Sequence, residues 1–299
     1  SIGKEKGMFR MRRLLGAALA AAAIVTAGCG ADGTSSAPKT SSLGNYELTA
    51  AQALQRSAER ADDVTSYIAS LNLDIPDYKE GPVNAQATVR YQEHPRLAWE
   101  ITLDRSAVNG NEVPGGVRVI LFEDVAYAQI EMLKGLLDTD KPWLKIDLKQ
   151  RPADRAKVDR IFEQFRSADL KSNLAMLTAS KDVEQAGREP VGGVETTHYS
   201  GTFPVEEALR LLPAEQRAKV TFPPGGEKVK FDVWVDDEGL PRKLQLSEVQ
   251  TGIGTATATV FFKSFNEPMS IEAPPADQTG ELPEEQVPSL ERFEVPQRG

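Results

Sequence analysis

The stretch that decides the fold is "SYIASLNLDI", residues 66–75. Apolar side chains occupy every second position, and most of the positions between them are polar. The apolar set is Tyr67, Ala69, Leu71, Leu73 and Ile75. Successive side chains of a β-strand point to opposite faces, so a period of two places this apolar set on one face. The stretch therefore predicts a strand with one face against a hydrophobic core.

Similar alternation recurs in both halves of the chain. It is found in residues 85–91, 97–103, 117–122, 126–130, 143–148, 195–202, 255–265 and 269–271. The clearest hairpin runs from Val229 to Val249, with Asp236-Asp237-Glu238-Gly239 as its turn. One-sided strands joined by short polar turns indicate an antiparallel sheet with one face on a core.

Three segments have helical spacing instead. The first helix is predicted from Thr49 to Val64, because Thr49 and Gln52 match a capping box and apolar residues recur every three or four positions. Helices are also expected within residues 152–179 and over residues 205–212. The order of helix, strands, helices and strands again favours one α+β domain over residues 46–273.

Both ends of the chain differ in composition from this central part. Residues 1–28 have basic residues, then an apolar run, then small residues, which is the pattern of a secretory leader. Residues 29–45 are rich in Ser, Thr and Gly and predict a flexible tether. Residues 274–299 are acidic and proline-rich and predict a disordered tail.

Cys29 is the only cysteine of the chain, so an internal disulfide is excluded. The stretch Thr26-Ala27-Gly28-Cys29 resembles a bacterial lipobox, with Thr26 where the usual motif has Leu, Val or Ile. The resemblance implies cleavage before Cys29 and a diacylglyceryl group on its sulfur. Two acyl chains suffice for stable anchoring. We therefore expect a protein anchored by lipid at the outer face of the cytoplasmic membrane.

Five stretches of the chain carry a further resemblance: "ADDVTSYIASLNLDI" (61–75), "KPWLKIDL" (141–148), "VGGVETTHYSGTFPVEEAL" (191–209), "FDVWVDDEGLPRKLQL" (231–246) and "SFNEPMSIEAPPAD" (264–277). In this order they resemble the actinobacterial LppX/LprG lipoprotein family. The resemblance implies the LolA/LolB-like fold, a strongly curved antiparallel half-barrel wrapped around helices. It also implies a hydrophobic cavity that holds a lipid or lipoglycan for transport or presentation at the cell envelope.

A cavity between a sheet and helices needs small side chains where a solid core would use large ones. Alanines at such positions are therefore the candidate cavity-lining residues. They are Ala58, Ala61, Ala85, Ala87, Ala126, Ala128, Ala256 and Ala258. Close packing explains the same alanines equally well, and "TATAT" at 255–259 also suits an ordinary exposed edge strand.

Other chemistry leaves little trace in the sequence. A net charge of -9 argues against nucleic acid as a partner. No spacing of Cys, His and carboxylates predicts a metal site, and no cofactor motif is found. His94 lies in a predicted turn, and His198 stands two residues from Ser200 on a predicted strand, without a third group to complete a triad.

Three functions from different classes follow from these observations. The first is a lipid-anchored carrier that binds a lipid or lipoglycan in a cavity. The second is an envelope sensor or interaction module, resembling the periplasmic regulator RseB, that binds a membrane protein. The third, an enzyme with His94 or His198 in a polar pocket, is the least favoured because no catalytic motif supports it.

Overall fold

The computed structural model describes residues 48–113, 116–131, 140–147, 170–211, 214, 228–251 and 253–281. The chain divides into two compact units, where the sequence predicts a single domain over 46–273. The described residues of the first unit fall within 65–162 and 250–299, and those of the second within 48–64 and 163–249. The predicted leader, Cys29, the tether and residues 282–299 lie outside the described residues.

The first unit is built around an antiparallel sheet. Its strands are β1 (Ser66–Ile75), β2 (Val83–Gln92), β3 (Ala98–Val108), β4 (Asn111–Glu112), β5 (Val117–Phe122), β6 (Val125–Ile130), β7 (Trp143–Asp147), β12 (Gly254–Phe265) and β13 (Thr279–Glu281). Their order across the sheet is β13-β7-β6-β5-β3-β2-β1-β12, and β4 pairs with β3. Only the pairing of β13 with β7 is parallel among the described pairs of this unit.

The register of this sheet follows the apolar pattern of the sequence. Tyr67 of β1 lies opposite Tyr91 of β2, and Leu73 lies opposite Ala85. On its other side Leu73 lies opposite Ala258 of β12. Because these apolar residues share one face, a slip of one position would move a whole strand's apolar set to the polar face. Two register shifts, at Ile68/Ala69 and at Gln86/Ala87, interrupt the ladders as bulges that increase local twist.

The second unit combines three helices with four strands. The helices are α1 (Ala50–Ala61), α2 (Leu170–Leu177) and α3 (Val205–Leu209), and the strands are β8 (Glu184–Val191), β9 (Val194–Pro204), β10 (Lys228–Asp236) and β11 (Pro241–Thr251). The strand order is β11-β10-β9-β8. Helix α1 packs against α2 and β8, and α2 also contacts α3 and β9. The predicted α+β class with a large, unclosed antiparallel sheet is confirmed.

Local capping explains where α1 begins. Thr49 Oγ1 accepts a hydrogen bond from the Gln52 amide at 3.2 Å, and the Thr49 amide donates to Gln52 Oε1 at 2.9 Å. This is the predicted capping box. The helix ends at Ala61, three residues before the predicted Val64. Two arginines on it, Arg56 and Arg60, donate to the backbone carbonyls of Asp237 and Glu238 in the turn between β10 and β11.

The structure differs from the sequence prediction at three places. Strand β8 was not predicted, because its side chains are exposed or half-buried on both faces and it contains Pro190. Proline is tolerated in such a strand at the end of a sheet. Residues 269–271, predicted as a strand, form none, although Ile271 is buried. The predicted disordered tail starts too early at 274, because Thr279–Glu281 pairs with β7.

Within the described ranges, no helix has both the length and the apolar character needed to cross a membrane.

Candidate functional site

One face of the sheet in the first unit is apolar over seven of its strands, and we call it the apolar face. It is defined by the register of β1, β2, β3, β5, β6, β7 and β12. Its residues include Ala69, Leu71 and Leu73 of β1, Ala85, Ala87 and Val89 of β2, Trp99, Ile101 and Leu103 of β3, and Val117, Val119 and Leu121 of β5. They continue with Ala126 and Ala128 of β6, Leu144 and Ile146 of β7, and Ala256, Ala258 and Val260 of β12. Apart from Tyr67, Tyr91 and Trp99, Ser106 is the one polar side chain that the described register adds to this face.

Burial is uneven across the apolar face. Val89 of β2, Ile101 of β3 and Val119 of β5 lie directly opposite one another and are half-buried. On either side of this row, Ala69 of β1 and Ala128 of β6 are buried. A row of half-buried β-branched residues in the middle of an apolar sheet face is a surface that apolar matter can cover.

Aromatic side chains occupy one end of the apolar face. Trp99 and Tyr91 have ring centroids 5.3 Å apart, and Tyr91 and Tyr67 have centroids 5.0 Å apart. Tyr67 in turn meets Phe262 edge to face at 5.7 Å. Trp99 Nε1 is buried and has no hydrogen-bond acceptor among the residues that the structure describes. This end of the face therefore has a buried polar hydrogen without a partner there.

The structure places the predicted cavity-lining alanines in two groups. Six lie on the apolar face, and all six are buried: Ala85, Ala87, Ala126, Ala128, Ala256 and Ala258. The other two lie on α1 in the second unit, where Ala61 is buried and Ala58 is half-buried. On the apolar face, β3 and β5 separate the alanines of β2 from those of β6. A cavity-lining role for these residues stays a prediction.

The opposite face of the same sheet is polar at its centre. Glu100, with a side chain 6% exposed, is ion-paired with Arg90 at 2.5 Å and with Arg118. Next to this cluster the segment after β12 is attached to the sheet: the Ile271 amide donates to Gln92 Oε1 at 2.7 Å. Ile271 joins a small apolar core with Ala98, Ile120, Phe122, Val125 and Trp143. The opposite face thus combines a buried ion cluster with a small apolar core.

Among the described residues, neither histidine has a hydrogen bond to Ser200. His198 Nε2 lies 2.8 Å from Asp232 Oδ1, and the imidazole stacks on the Trp234 ring with centroids 4.2 Å apart. Lys243 Nζ lies 3.8 Å from the centroid of the Trp234 ring. This arrangement is a cross-strand packing cluster, since β10 carries both Asp232 and Trp234 beside β9. His94 is exposed in the turn between β2 and β3.

Metal ligation finds no support in the part of the chain that the structure describes, where no three His, Cys, Asp or Glu side chains come together as a metal site. Sequence reasoning identified the strands of the apolar face but missed Val89, Ile101, Val119 and Trp99 as site residues. The apolar alternation marked each of them as facing inward. It held no signal for which inward-facing residue is half-buried or lacks a hydrogen-bond partner.

Comparison with known proteins gives relatives of modest similarity. No family model matches the chain. An uncharacterized 31.2 kDa protein from the rplA–rplJ intergenic region of Streptomyces griseus is 29% identical over 178 residues, which is 57% of this chain and 58% of that protein. A putative lipoprotein of Streptomyces coelicolor is 26% identical over 122 residues, which is 41% of this chain and 35% of that protein. The matched part thus spans about half of the first relative's length and about a third of the second's.

Solved structures with a similar chain trace include those of two mycobacterial proteins and of one Pseudomonas complex. LprF of Mycobacterium bovis has a TM-score of 0.46 at 13% identity and covers 75% of this chain and 96% of its own. The lipoprotein LppX of Mycobacterium tuberculosis has a TM-score of 0.44 at 15% identity, with 75% and 98% covered. The MucA/MucB complex of Pseudomonas aeruginosa has a TM-score of 0.32 at 16% identity, with 77% and 59% covered. LppX is thus among the solved structures to which this chain is similar, as its sequence resemblance predicts.

Proposed function

We propose that this protein is a lipid-anchored lipoprotein that binds the acyl chains of a lipid or lipoglycan on the apolar face of its first unit. It carries or presents that lipid at the cell envelope, on the outer face of the cytoplasmic membrane. The observation that carries the proposal is the half-buried row Val89, Ile101 and Val119 in the middle of the apolar face. Covering such a row with hydrocarbon is favourable by about 25 cal/mol per Å² of apolar surface removed from water.

The small residues of the face support the same proposal. Ala85 and Ala87 of β2 lie opposite Leu73 and Leu71 of β1, and Ala126 of β6 lies opposite Leu121 of β5. An alanine beside a leucine leaves the sheet surface lower at the alanine, because its side chain ends at Cβ. Acyl chains are thin and flexible, so a surface of alternating height suits them better than it suits a flat, rigid ligand.

The anchor in this proposal is the predicted diacylglyceryl group on Cys29. The Streptomyces coelicolor relative is named a putative lipoprotein, which supports the lipobox resemblance of residues 26–29. An acidic chain, at net charge -9, is repelled by anionic headgroups, so acyl chains and not surface charge hold it at the membrane. The bound lipid is then taken up and released by a protein that stays at that surface.

The test is lipid occupancy of the purified full chain. Organic extraction followed by mass spectrometry is expected to find acyl lipid bound to the protein besides the group on Cys29. After delipidation, the protein should take up a fluorescent fatty-acyl probe. Absence of both copurified lipid and probe uptake would overturn the proposal.

A pair of variants on β3 localises the binding. Ile101 lies on the apolar face, and its neighbour Thr102 points to the opposite face, where it lies across from Thr88 and Arg118. We expect Ile101→Glu to weaken probe uptake at least tenfold, because an unpaired carboxylate would be desolvated by the acyl chain. Thr102→Glu adds the same charge to the same strand and should leave uptake unchanged. Thermal unfolding of both variants shows that each is folded.

The proposed function is binding without catalysis. His198 already contacts Asp232 and stacks on Trp234, so its ring is used in packing between β9 and β10. Among its described residues, the apolar face has the hydroxyls of Ser106, Tyr67 and Tyr91 but no carboxylate, histidine or lysine. Binding and release, without change to the lipid, are the chemistry that such a surface supports.

A membrane protein partner is the second candidate, as for an RseB-like module. The observation in its favour is β8, which ends the strand order of the second unit and pairs only with β9 among the described strands. The free edge of such a strand can pair with an extended peptide. Crosslinking from a photoreactive residue at exposed Glu184 or Arg188 in intact cells would identify such a partner, and no crosslinked product would count against this candidate.

A further inference from the structure

The buried indole N–H of Trp99 on the apolar face indicates which part of a bound lipid lies beside it. We propose that Trp99 Nε1–H donates a hydrogen bond to the carbonyl oxygen of the ester or amide that joins an acyl chain to its headgroup. The proposal rests on the function proposed above and deepens it. It makes Trp99 a specificity residue that distinguishes acyl lipids from lipids whose chains lack a carbonyl.

The first support is the state of the indole nitrogen. Trp99 is only 5% exposed, and its Nε1 finds no hydrogen-bond acceptor within the described part of the chain. Trp234 is equally buried at 5%, yet its Nε1 donates to the carboxylate of Glu189. Buried polar groups of native proteins are nearly always paired, because a donor removed from water without an acceptor is costly. The unpaired hydrogen of Trp99 therefore calls for an acceptor from a ligand.

The second support is the position of Trp99 relative to the half-buried row. Trp99 precedes Ile101 by two residues on β3, so both side chains lie on the apolar face. Its direct neighbours across the strands are Tyr91 and Leu121, next to Val89 and Val119 along their own strands. Hydrocarbon that covers the row thus lies beside the indole. The proposal places the carbonyl of the bound lipid next to Trp99.

The charge of the surroundings selects the kind of acceptor. The described residues of the apolar face include no Lys, Arg or His. A carboxylate or phosphate bound there would be desolvated without a cation. A neutral carbonyl oxygen needs only one hydrogen-bond donor, which Trp99 supplies. The acceptor is therefore an ester or amide oxygen, and the charged headgroup stays in water.

The experiment compares two lipids that differ in the carbonyl alone. One is a diacyl glycerophosphocholine, and the other is its dialkyl ether analogue with chains of equal length. Both compete with a fluorescent fatty-acyl probe on the delipidated full chain. We expect the wild type to prefer the ester lipid by about tenfold, the worth of one buried hydrogen bond. Trp99→Phe should bind both lipids equally, with its affinity for the ether lipid close to that of the wild type.

Trp143→Phe is the matched control. Trp143 is 6% exposed in the same unit but belongs to the small core on the opposite face. It should retain the preference for the ester. A Trp99→Phe variant that folds and keeps the preference overturns the role of Trp99. Should this variant fail to fold, the ratio measured on the wild type can still overturn the proposal. A wild type that binds ester and ether equally, or a Trp143→Phe variant that also loses the preference, overturns the role of Trp99. Failure of the wild type to bind either lipid overturns the proposed function itself.

Discussion

Both carboxylate oxygens of Asp182 accept hydrogen bonds from Thr202. The Thr202 amide donates to Asp182 Oδ1 at 2.7 Å, and Thr202 Oγ1 donates to Asp182 Oδ2 at 2.6 Å. Ser180 Oγ adds a third hydrogen bond, to Oδ1 at 3.0 Å. Partial burial raises the pKa of Asp182, but these hydrogen bonds to the charged form outweigh it, so that the pKa lies below its ordinary 3.8. The carboxylate thereby ties the turn after α2 to strand β9.

The lowered pKa of Asp182 predicts a loss of stability in acid. A carboxyl group whose pKa is lower in the folded state contributes stability above its unfolded pKa and loses it as the pH falls through the folded pKa. We expect the stability difference between the wild type and Asp182→Asn to be largest above about pH 4.5 and to shrink as the pH falls through the lowered pKa. Urea unfolding at several pH values measures this difference. A difference that grows toward low pH would contradict the assignment.

Gly201, the residue before Thr202, predicts a steric effect in the same region. A Cβ at position 201 would lie 3.0 Å from Val183 Cα and 3.1 Å from Phe231 Cζ. We therefore expect Gly201→Ala to lower the free energy of unfolding by about 1–3 kcal/mol. Gly187 on β8 is the control, since a Cβ there meets nothing within 4 Å. Gly187→Ala should be neutral or stabilise by up to about 1 kcal/mol. Equal effects of the two substitutions would show that the contacts of Gly201 are unimportant.

The ion cluster of Glu100, Arg90 and Arg118 in the first unit predicts a difference in stability between two Glu→Gln variants. Glu100 is buried and pairs with both Arg90 and Arg118, so Glu100→Gln leaves two guanidinium groups without their shared carboxylate. Because both arginines are partly exposed and can reach water, we expect a loss of about 1–3 kcal/mol, less than for a fully buried pair. Glu112 pairs with Arg105 where both side chains are more than 60% exposed. Glu112→Gln should change stability by less than about 0.5 kcal/mol in the same denaturation experiment.

The lipobox resemblance predicts a fourth result, on the location of the protein. The full chain should fractionate with membranes, and its intact mass after detergent extraction should include a diacylglyceryl group. Cys29→Ala removes the only sulfur that can carry this group, so the variant should lack the added mass and leave the membrane fraction. A variant that stays with membranes as tightly as the wild type would show that another part of the chain anchors it.

The sequence alone determined most of the regular structure, because that structure depends on local patterns. The alternation in residues 66–75 predicted β1 with the correct face, and Thr49 with Gln52 predicted the start of α1. Strands β5 and β12 and the hairpin of β10 and β11 also lie close to their predicted ranges. In each case the residues that decide the element are neighbours along the chain, so their spacing carries the information.

The tertiary structure decided which of these residues are special. Ala87 and Val89 share one face and one pattern, yet one is buried and the other half-buried, because their exposure depends on what lies across and above them. The unpaired nitrogen of Trp99 is likewise a property of its surroundings and not of the tryptophan. Strand β8 pairs with β9, and β13 pairs with β7. The residues of β8 and β13 show no apolar alternation that would predict these strands. Contacts between residues distant in sequence decide burial, hydrogen bonding and edge pairing, and the proposed lipid site depends on the first two.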